Sequence, residues 1–489
     1  MRCSLKKLNV QAGKPIAFLH ASDARILGVH PGDRILIRTN GTKEIAVVDV
    51  TTTFIKRREL GLSDEVIRSL NLSPSSSIEV QPMKFAQSSI LLKQKRKCDP
   101  YTEEQLKKIM KDIVSGALTE AEIAYFISGI NYCGMSSQET RHLVNAIVNT
   151  GAKLSWGTKK CADKHSIGGI PGNRTTPIVV AICAAAGVIM PKTSSRAITS
   201  AAGTADTVET LARVNFSVHE LQEIVHKTGA CLAWGGSLGL APADDKIIQI
   251  EKILNLDPEP QLLASILSKK IAVGSKYVLI DIPYGLGAKV TRKKALELKK
   301  KFLKLGTSLG LVIQVVLTEG SQPIGDGIGP SLEMRDIIRV LTKNNSPLDL
   351  EKKSIFLASK ILEMTKKAKL GKGAALARKM LSSGSAFAKF KEIIEAQGGY
   401  VRELPLARYK KTLFASSTGT VEAIHNRLIN TTARIAGCPQ DKASGIDLHV
   451  HVGDRVKKGE PLVTLYAESL FKLKAASTFF ITDHPIELG

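Results

Sequence analysis

The chain has 489 residues, 43% hydrophobic and 23% charged, a balance that excludes a disordered, fibrous or low-complexity protein and calls for about three domains. Its 69 Lys and Arg against 45 Asp and Glu leave a net charge of +24, which suits phosphate, nucleic acid or anionic lipid as partner. Aromatic residues make up 5%, and no basic run is interleaved with Phe or Tyr, which weakens a base-stacking nucleic-acid surface.

The basic start, Met1 to Lys7, lacks the apolar stretch and cleavage site of a secretory signal. The longest apolar run, Ile178 to Met190, is well short of the ~20 residues that cross a bilayer, so a cytoplasmic protein without a membrane span is expected. Seven cysteines, Cys3, Cys98, Cys133, Cys161, Cys183, Cys231 and Cys438, are scattered without a CxxC pair and read as reduced thiols, with neither a disulfide framework nor a metal site.

Residues 1–85 read as a small β-rich domain: Pro31-Gly32-Asp33 precedes the strand Arg34–Ile37, and Asn40-Gly41 precedes Ile45–Val48. The basic stretch Lys93–Lys97 reads as a linker. Three capping boxes, Thr102/Gln105, Thr119/Glu122 and Ser136/Glu139, then predict three helices, and the helical spacing of Leu106, Ile109, Met110 and Ile113 gives the first an apolar face, so 93–160 is a helical domain. Over 161–400 apolar strands such as Tyr277–Ile282 and Leu311–Val316 alternate with helices such as Arg292–Leu305, which is α/β architecture. Alternation returns over 401–489, with Ile446, Leu448, Val450 and Val452 on one face, giving a C-terminal α+β region with a barrel-like element. The fold class is multidomain α/β.

Two loops can do chemistry. In Lys164-His165-Ser166-Ile167-Gly168-Gly169, continuing to Thr175, glycines permit close backbone approach, and a helix starting near Thr175 aims free N–H groups at an anion. This is neither a Walker loop nor a dinucleotide fingerprint. The second loop, Lys192 to Thr204, concentrates hydroxyls and Arg196, groups that suit phosphate or sugar oxygens. Spacing alone leaves open whether the two meet. Asp257 either caps the helical run Gln261–Ile271 or acts as a general acid, and Ser265 and Lys269 share a face of that helix. His165 reads as a hydrogen-bonding partner, and Asp244-Asp245 as structural or solvent-facing.

These motifs, with Ala264-Ser265-Ile266-Leu267-Ser268-Lys269-Lys270, resemble the thymidine/pyrimidine-nucleoside phosphorylase family from about residue 93 onward. The runs Ser166–Asn173, Pro191–Asp206 and Ala241–Asp245 are similar to its AMP phosphorylase branch, which carries an N-terminal extension of this length. The resemblance implies a helical domain, with a returning segment near 244–274, a larger phosphate-binding α/β domain and a homodimer or larger assembly. It implies phosphorolysis: inorganic phosphate, a co-substrate with no further cofactor, displaces the base of a nucleoside or nucleoside 5′-monophosphate. It also implies contacts at Gly169, Ser195, Arg196, Ala197, Ile198, Thr199, Ser200, Thr204, Ser265 and Lys289, phosphate binding at Lys164, Ser166, Ser194 and Thr175, and Asp257 as proton donor.

At the position where pyrimidine-specific members of the family carry an Arg, this chain has Ile250, which cannot grip a pyrimidine carbonyl. That favours an AMP-like nucleotide over thymidine, with Asp257 protonating the base if burial keeps it neutral and Lys289 offering a cation to a 5′-phosphate. Two other readings compete: a basic nucleic-acid-binding protein, and a carrier domain suggested by the Val-Gly-Asp pattern within Gly445–Leu465, which shows no attachment residue and reads instead as a structural barrel.

Overall fold

Alternation of apolar and polar residues in the first eighty positions closes a barrel rather than an open sheet. The computed structural model covers residues 1–489 and describes all of them except Asn40, Pro74, Ser75, Lys84, Phe85, Thr158, Lys159, Ile198 and Thr199. The chain forms two units, one of Met1–Thr150 with Pro242–Leu262, the other of Gly151–Ala241 with Leu263–Gly489.

In the first unit, β1 (Arg2–Lys7), β2 (Ile16–His20), β3 (Arg34–Thr39), β4 (Thr42–Thr51), β5 (Glu59–Leu62) and β6 (Ile78–Pro82) close a barrel in the order β1-β5-β2-β4-β3-β6. Leu19, Ile35, Ile37, Leu60, Leu62, Ile78 and Val80 fill it. Arg34 leaves the barrel sideways and donates to the Gly116 carbonyl at 2.7 Å, fastening it to the helices that follow. Those helices, Glu103–Val114, Glu120–Cys133 and Ser137–Val148, each start at the expected capping box. The helix Pro242–Leu254 also belongs to this unit; Lys246 donates to the Val114 carbonyl at 2.8 Å, and Asp244, fully buried, accepts from Gln261 at 3.0 Å.

Two expectations are corrected here. Lys93–Lys97 is a 3₁₀ turn, not a linker: Lys95 is buried and donates to Glu139 at 2.7 Å, where the Tyr101 backbone N–H also donates at 2.9 Å. A basic run looks solvated until a carboxylate from a distant helix turns one member inward. Cys98 and Cys133 are joined by a disulfide, while the other five cysteines are free and buried. No motif spacing marks a bond that links residues on either side of an intervening helical segment.

In the second unit, β7 (Cys161–Ser166), β8 (Met190–Ser194), β9 (Ala230–Trp234), β10 (Ser275–Tyr284) and β11 (Val312–Glu319) are all parallel to their neighbours. The three-stranded β11-β10-β7 sheet meets the β8-β9 pair through the Ala162 N–H to Ile189 carbonyl bond, giving the order β9-β8-β7-β10-β11. The chain winds outward from β7 in one direction and then restarts at β10 in the other, so the sheet has a topological switch between β7 and β10, the position at which open α/β sheets in general bind ligands. The helix Thr175–Ala185 is buried almost throughout and anchors the core with helices Pro330–Thr342, Leu348–Met364 and Ser385–Ala396. The expected strand Tyr277–Ile282 falls within β10, Leu311–Val316 overlaps β11 from Val312 onward, and the helix between them runs over Arg292–Ser308.

Beyond these, β12 (Gly327–Ile328), β13 (Tyr409–Phe414), β14 (Gly419–Ile424), β15 (Gly445–Leu448), β16 (Arg455–Val456), β17 (Pro461–Ala467) and β18 (Ile486–Leu488) form a β12-β15-β17-β13 sheet and a β16-β14-β18 sheet. Ile446, Leu448 and Val450 enter their core, whereas Val452 lies exposed beside the Gly453 turn. Among the described residues no helix is long and apolar enough to cross a membrane.

Candidate active site

Lys164 and Ser166 lie two apart at the end of β7 and so share one face of the sheet. Lys164 is buried, and its Nζ donates to Thr175 Oγ1 at 2.7 Å and reaches Thr176 Oγ1 at 3.4 Å, in the first turn of the helix Thr175–Ala185. Burial pushes its pKa down to about 8, with the Asp281 carboxylate opposing that shift. Ser166 Oγ is buried and has no hydrogen-bond partner. Such a hydroxyl, on the same strand face as the Lys164 ammonium, has its hydrogen-bonding capacity unspent. The intervening loop requires glycine: at Gly172, with φ +66°, a Cβ would stand 2.2 Å from the Ile324 carbonyl oxygen, and at Gly169, φ +96°, it would press on Lys289 at 3.1 Å.

The two loops meet through Arg174. Its Nε pairs with the buried Glu333 carboxylate, its Nη2 donates to the Ala202 carbonyl at 2.5 Å, and its Nη1 reaches Thr204 Oγ1 at 3.4 Å. The second loop is fixed from within: Asp206 accepts from the backbone N–H groups of Ala197 at 2.7 Å and Gly203 at 2.8 Å. Arg196 makes two bonds of 2.7 Å to Glu209, approaches Asp206 at 3.2 Å and lies over the Trp234 ring. Its fork is therefore committed to carboxylates in this structure. Ser195 is exposed, Ser194, Ala197, Ser200 and Thr204 are half-buried, and Ser200 donates to the Ala202 carbonyl at 2.9 Å. Ile198 and Thr199 lie outside the described residues.

Beneath the loops, the buried Asp163 carboxylate accepts from Lys270 at 2.7 Å and faces Lys192 at 3.6 Å. Burial lowers the Lys192 pKa to about 7. Burial and then the positive charges of Lys270, Lys192, Lys164 and Lys269 hold His165 well below the ordinary histidine value, which leaves a neutral imidazole. Ser265 and Lys269 are half-buried on the helix Glu259–Ala272. Lys289 is exposed, with its backbone against Gly169. Asp257 and Ile250 belong to the first unit; Ile250 is buried, and Asp257 is exposed two residues before its helix begins, so the burial invoked for a neutral carboxyl is absent there.

Several residues of this region are given no role by the sequence. Arg174, Lys192 and Lys270 stand inside recognised motifs, whereas Asp163 and Asp281 lie within strands, outside any motif. The helix Asn426–Ala436 contributes two more: Asn426 donates to the Gly320 carbonyl at 2.9 Å and reaches that of Gly287 at 3.4 Å, and Asn430 accepts from the Ala201 N–H at 3.0 Å. An Asn in an amphipathic helix gives no sign of the loops it holds.

Comparison with known proteins follows the same layout. Residues 89–151 match the glycosyl transferase family helical bundle domain, residues 158–387 the glycosyl transferase family a/b domain, and residues 420–481 the pyrimidine nucleoside phosphorylase C-terminal domain. The chain is 42% identical to an AMP phosphorylase of Pyrococcus furiosus, with 100% of this chain and 98% of that protein covered. It is 40% identical to a putative thymidine phosphorylase of Hahella chejuensis, covering 99% and 97%. An anthranilate phosphoribosyltransferase of Thermus thermophilus shares the fold at a TM-score of 0.53 and 17% identity, over 63% of this chain and 99% of that one.

Proposed function

Because the chain belongs to the glycosyl transferase family that contains the AMP and thymidine phosphorylases, we infer that it is a pentosyltransferase cleaving an N-glycosidic bond with inorganic phosphate. The full-length similarity to these phosphorylases carries the reading. A phosphate oxygen forms a bond to C1′, the bond to the base nitrogen breaks with its electron pair going to the base, and sugar 1-phosphate and free base leave. Phosphate is the co-substrate, and this chemistry calls on no further cofactor.

In the proposed arrangement Lys164, Ser166, Thr175, Thr204 and the N-terminus of helix Thr175–Ala185 hold the phosphate. The unpartnered Ser166 hydroxyl at the sheet's switch point supports it. Arg196 takes a different part from the one its motif suggested: locked to Glu209, it shapes the loop Ser194–Thr204 instead of gripping the anion. The proton-donor role of Asp257 rests on the family resemblance alone, because its carboxyl is exposed in this structure. We place an AMP-like nucleoside monophosphate ahead of thymidine as substrate, on Ile250 and on the exposed Lys289 cation beside Gly169. A cytoplasmic homodimer or larger assembly belongs to the same proposal. Phosphate-dependent release of base from AMP, CMP, UMP and thymidine, measured side by side, tests it.

A further inference from the structure

Ser166 on β7 pairs in register with Asp281 on β10, and Lys164 pairs with Leu279, so strand alternation puts Lys164, Ser166 and Asp281 on one face at the switch point. Asp281 is fully buried. Its Oδ1 accepts from Thr318 Oγ1 at 2.6 Å, and its Oδ2 faces Lys353 Nζ, from the helix Leu348–Met364, at 3.5 Å. Asp281 Oδ2 and Lys353 Nζ are both buried, and neither has a hydrogen-bond partner. A buried ion pair this loose is a poor device for stability, since an apolar pair of the same volume would do as well or better.

We propose that Asp281 and Lys353 are a positioning pair for the phosphate site, Asp281 holding Lys164 in its charged form while Lys353 prevents that carboxylate from cancelling the charge. The groups around Lys164 support this. Asp163 and His165 lie beside it on β7, Asp281 on β10, Arg174 in the Gly-rich loop and Lys353 on its helix. Asp163 is met by both Lys270 and Lys192, a group that keeps one positive charge, and Arg174 is matched by Glu333. Lys164, Lys353 and Asp281 add a second positive charge facing an incoming dianion, and removing Lys353 would take that one away. Lys353 itself meets Asp281, Asp349 and Glu319.

This inference rests on the phosphorylase reading. The test is the pH dependence of kcat/KM for phosphate in the full-length wild type and in Lys353→Met, Lys353→Arg and Asp281→Asn, with melting curves for each. Lys353→Met should raise the KM for phosphate at neutral pH about 10-fold and move the alkaline limb up by about one pH unit, because Lys164 becomes the sole partner of Asp281. Asp281→Asn should move the limb down, and Lys353→Arg should leave it in place. A loss of activity with no change in the limb, or a shift of the same sign in both charge-removing variants, would overturn the proposal. If Asp281→Asn does not fold, the Met and Arg variants at 353 decide between the outcomes. Wild-type protein without phosphate-dependent turnover would instead overturn the underlying reading.

Discussion

Lys164 donates to Thr175 at 2.7 Å, a bond that ties the carboxyl end of β7 to the first turn of the helix behind the Gly-rich loop. With its pKa lowered to about 8, the ammonium is charged below that pH and neutral above it. A bound dianion favours the charged form, so phosphate affinity should fall as pH rises through 8, and binding near pH 8 should take up a proton. Calorimetry in two buffers of different ionisation heat measures that uptake. Lys164→Met should lower kcat/KM for phosphate at least ~100-fold.

Arg174 and Glu333 form a buried pair that also carries the contacts to Ala202 and Thr204. Arg174→Met strands the Glu333 carboxylate, which burial already pushes towards its neutral form. Urea unfolding should show a loss of about 3–5 kcal/mol, together with loss of activity from the released loop.

Glu209 is held near pKa 2, chiefly by its bonds to Arg196, against 4.5 for a free glutamate. A depressed carboxylate pKa gives stability that is present above the unfolded value and disappears as pH falls through the folded one. The melting temperature of wild type should therefore exceed that of Glu209→Gln by a constant margin above pH ~5, and the margin should close between about 4.5 and 2.

Thiol titration checks the Cys98–Cys133 bond. Denatured, unreduced protein should show the five thiols of Cys3, Cys161, Cys183, Cys231 and Cys438, and reduction should expose Cys98 and Cys133 as well.

The acid role of Asp257 predicts that Asp257→Asn lowers turnover at least ~100-fold, with the larger loss for substrates whose leaving base needs a proton. Near-normal activity would leave Asp257 a local structural part only.

Much of this molecule is written in local signals. The capping boxes at Thr102, Thr119 and Ser136 mark helix starts because each satisfies backbone donors within one turn, and the Gly-rich loop betrays itself because Gly172 leaves no room for a side chain. Long-range pairings leave no such trace. Lys95 looked solvated until Glu139 met it, and Cys98 looked like a lone thiol until Cys133 did. Arg196 has the chemistry of a phosphate ligand, but whether its fork is free depends on Glu209, a residue that no motif connects to it. The charge surplus behaves similarly: Lys289 to Lys304 carries eight basic residues against one acidic, mostly on an exposed helical face, while the site itself depends on a few buried lysines.

The most direct measurement incubates the full-length protein with AMP, CMP, UMP or thymidine, with and without inorganic phosphate, and quantifies base, phosphate consumed and sugar phosphate formed. The account predicts base release only when phosphate is present, one phosphate consumed per base, and faster turnover of a nucleoside monophosphate than of thymidine. Turnover of thymidine alone would contradict the nucleotide preference, and no phosphate-dependent release from any of the four would contradict the phosphorylase itself.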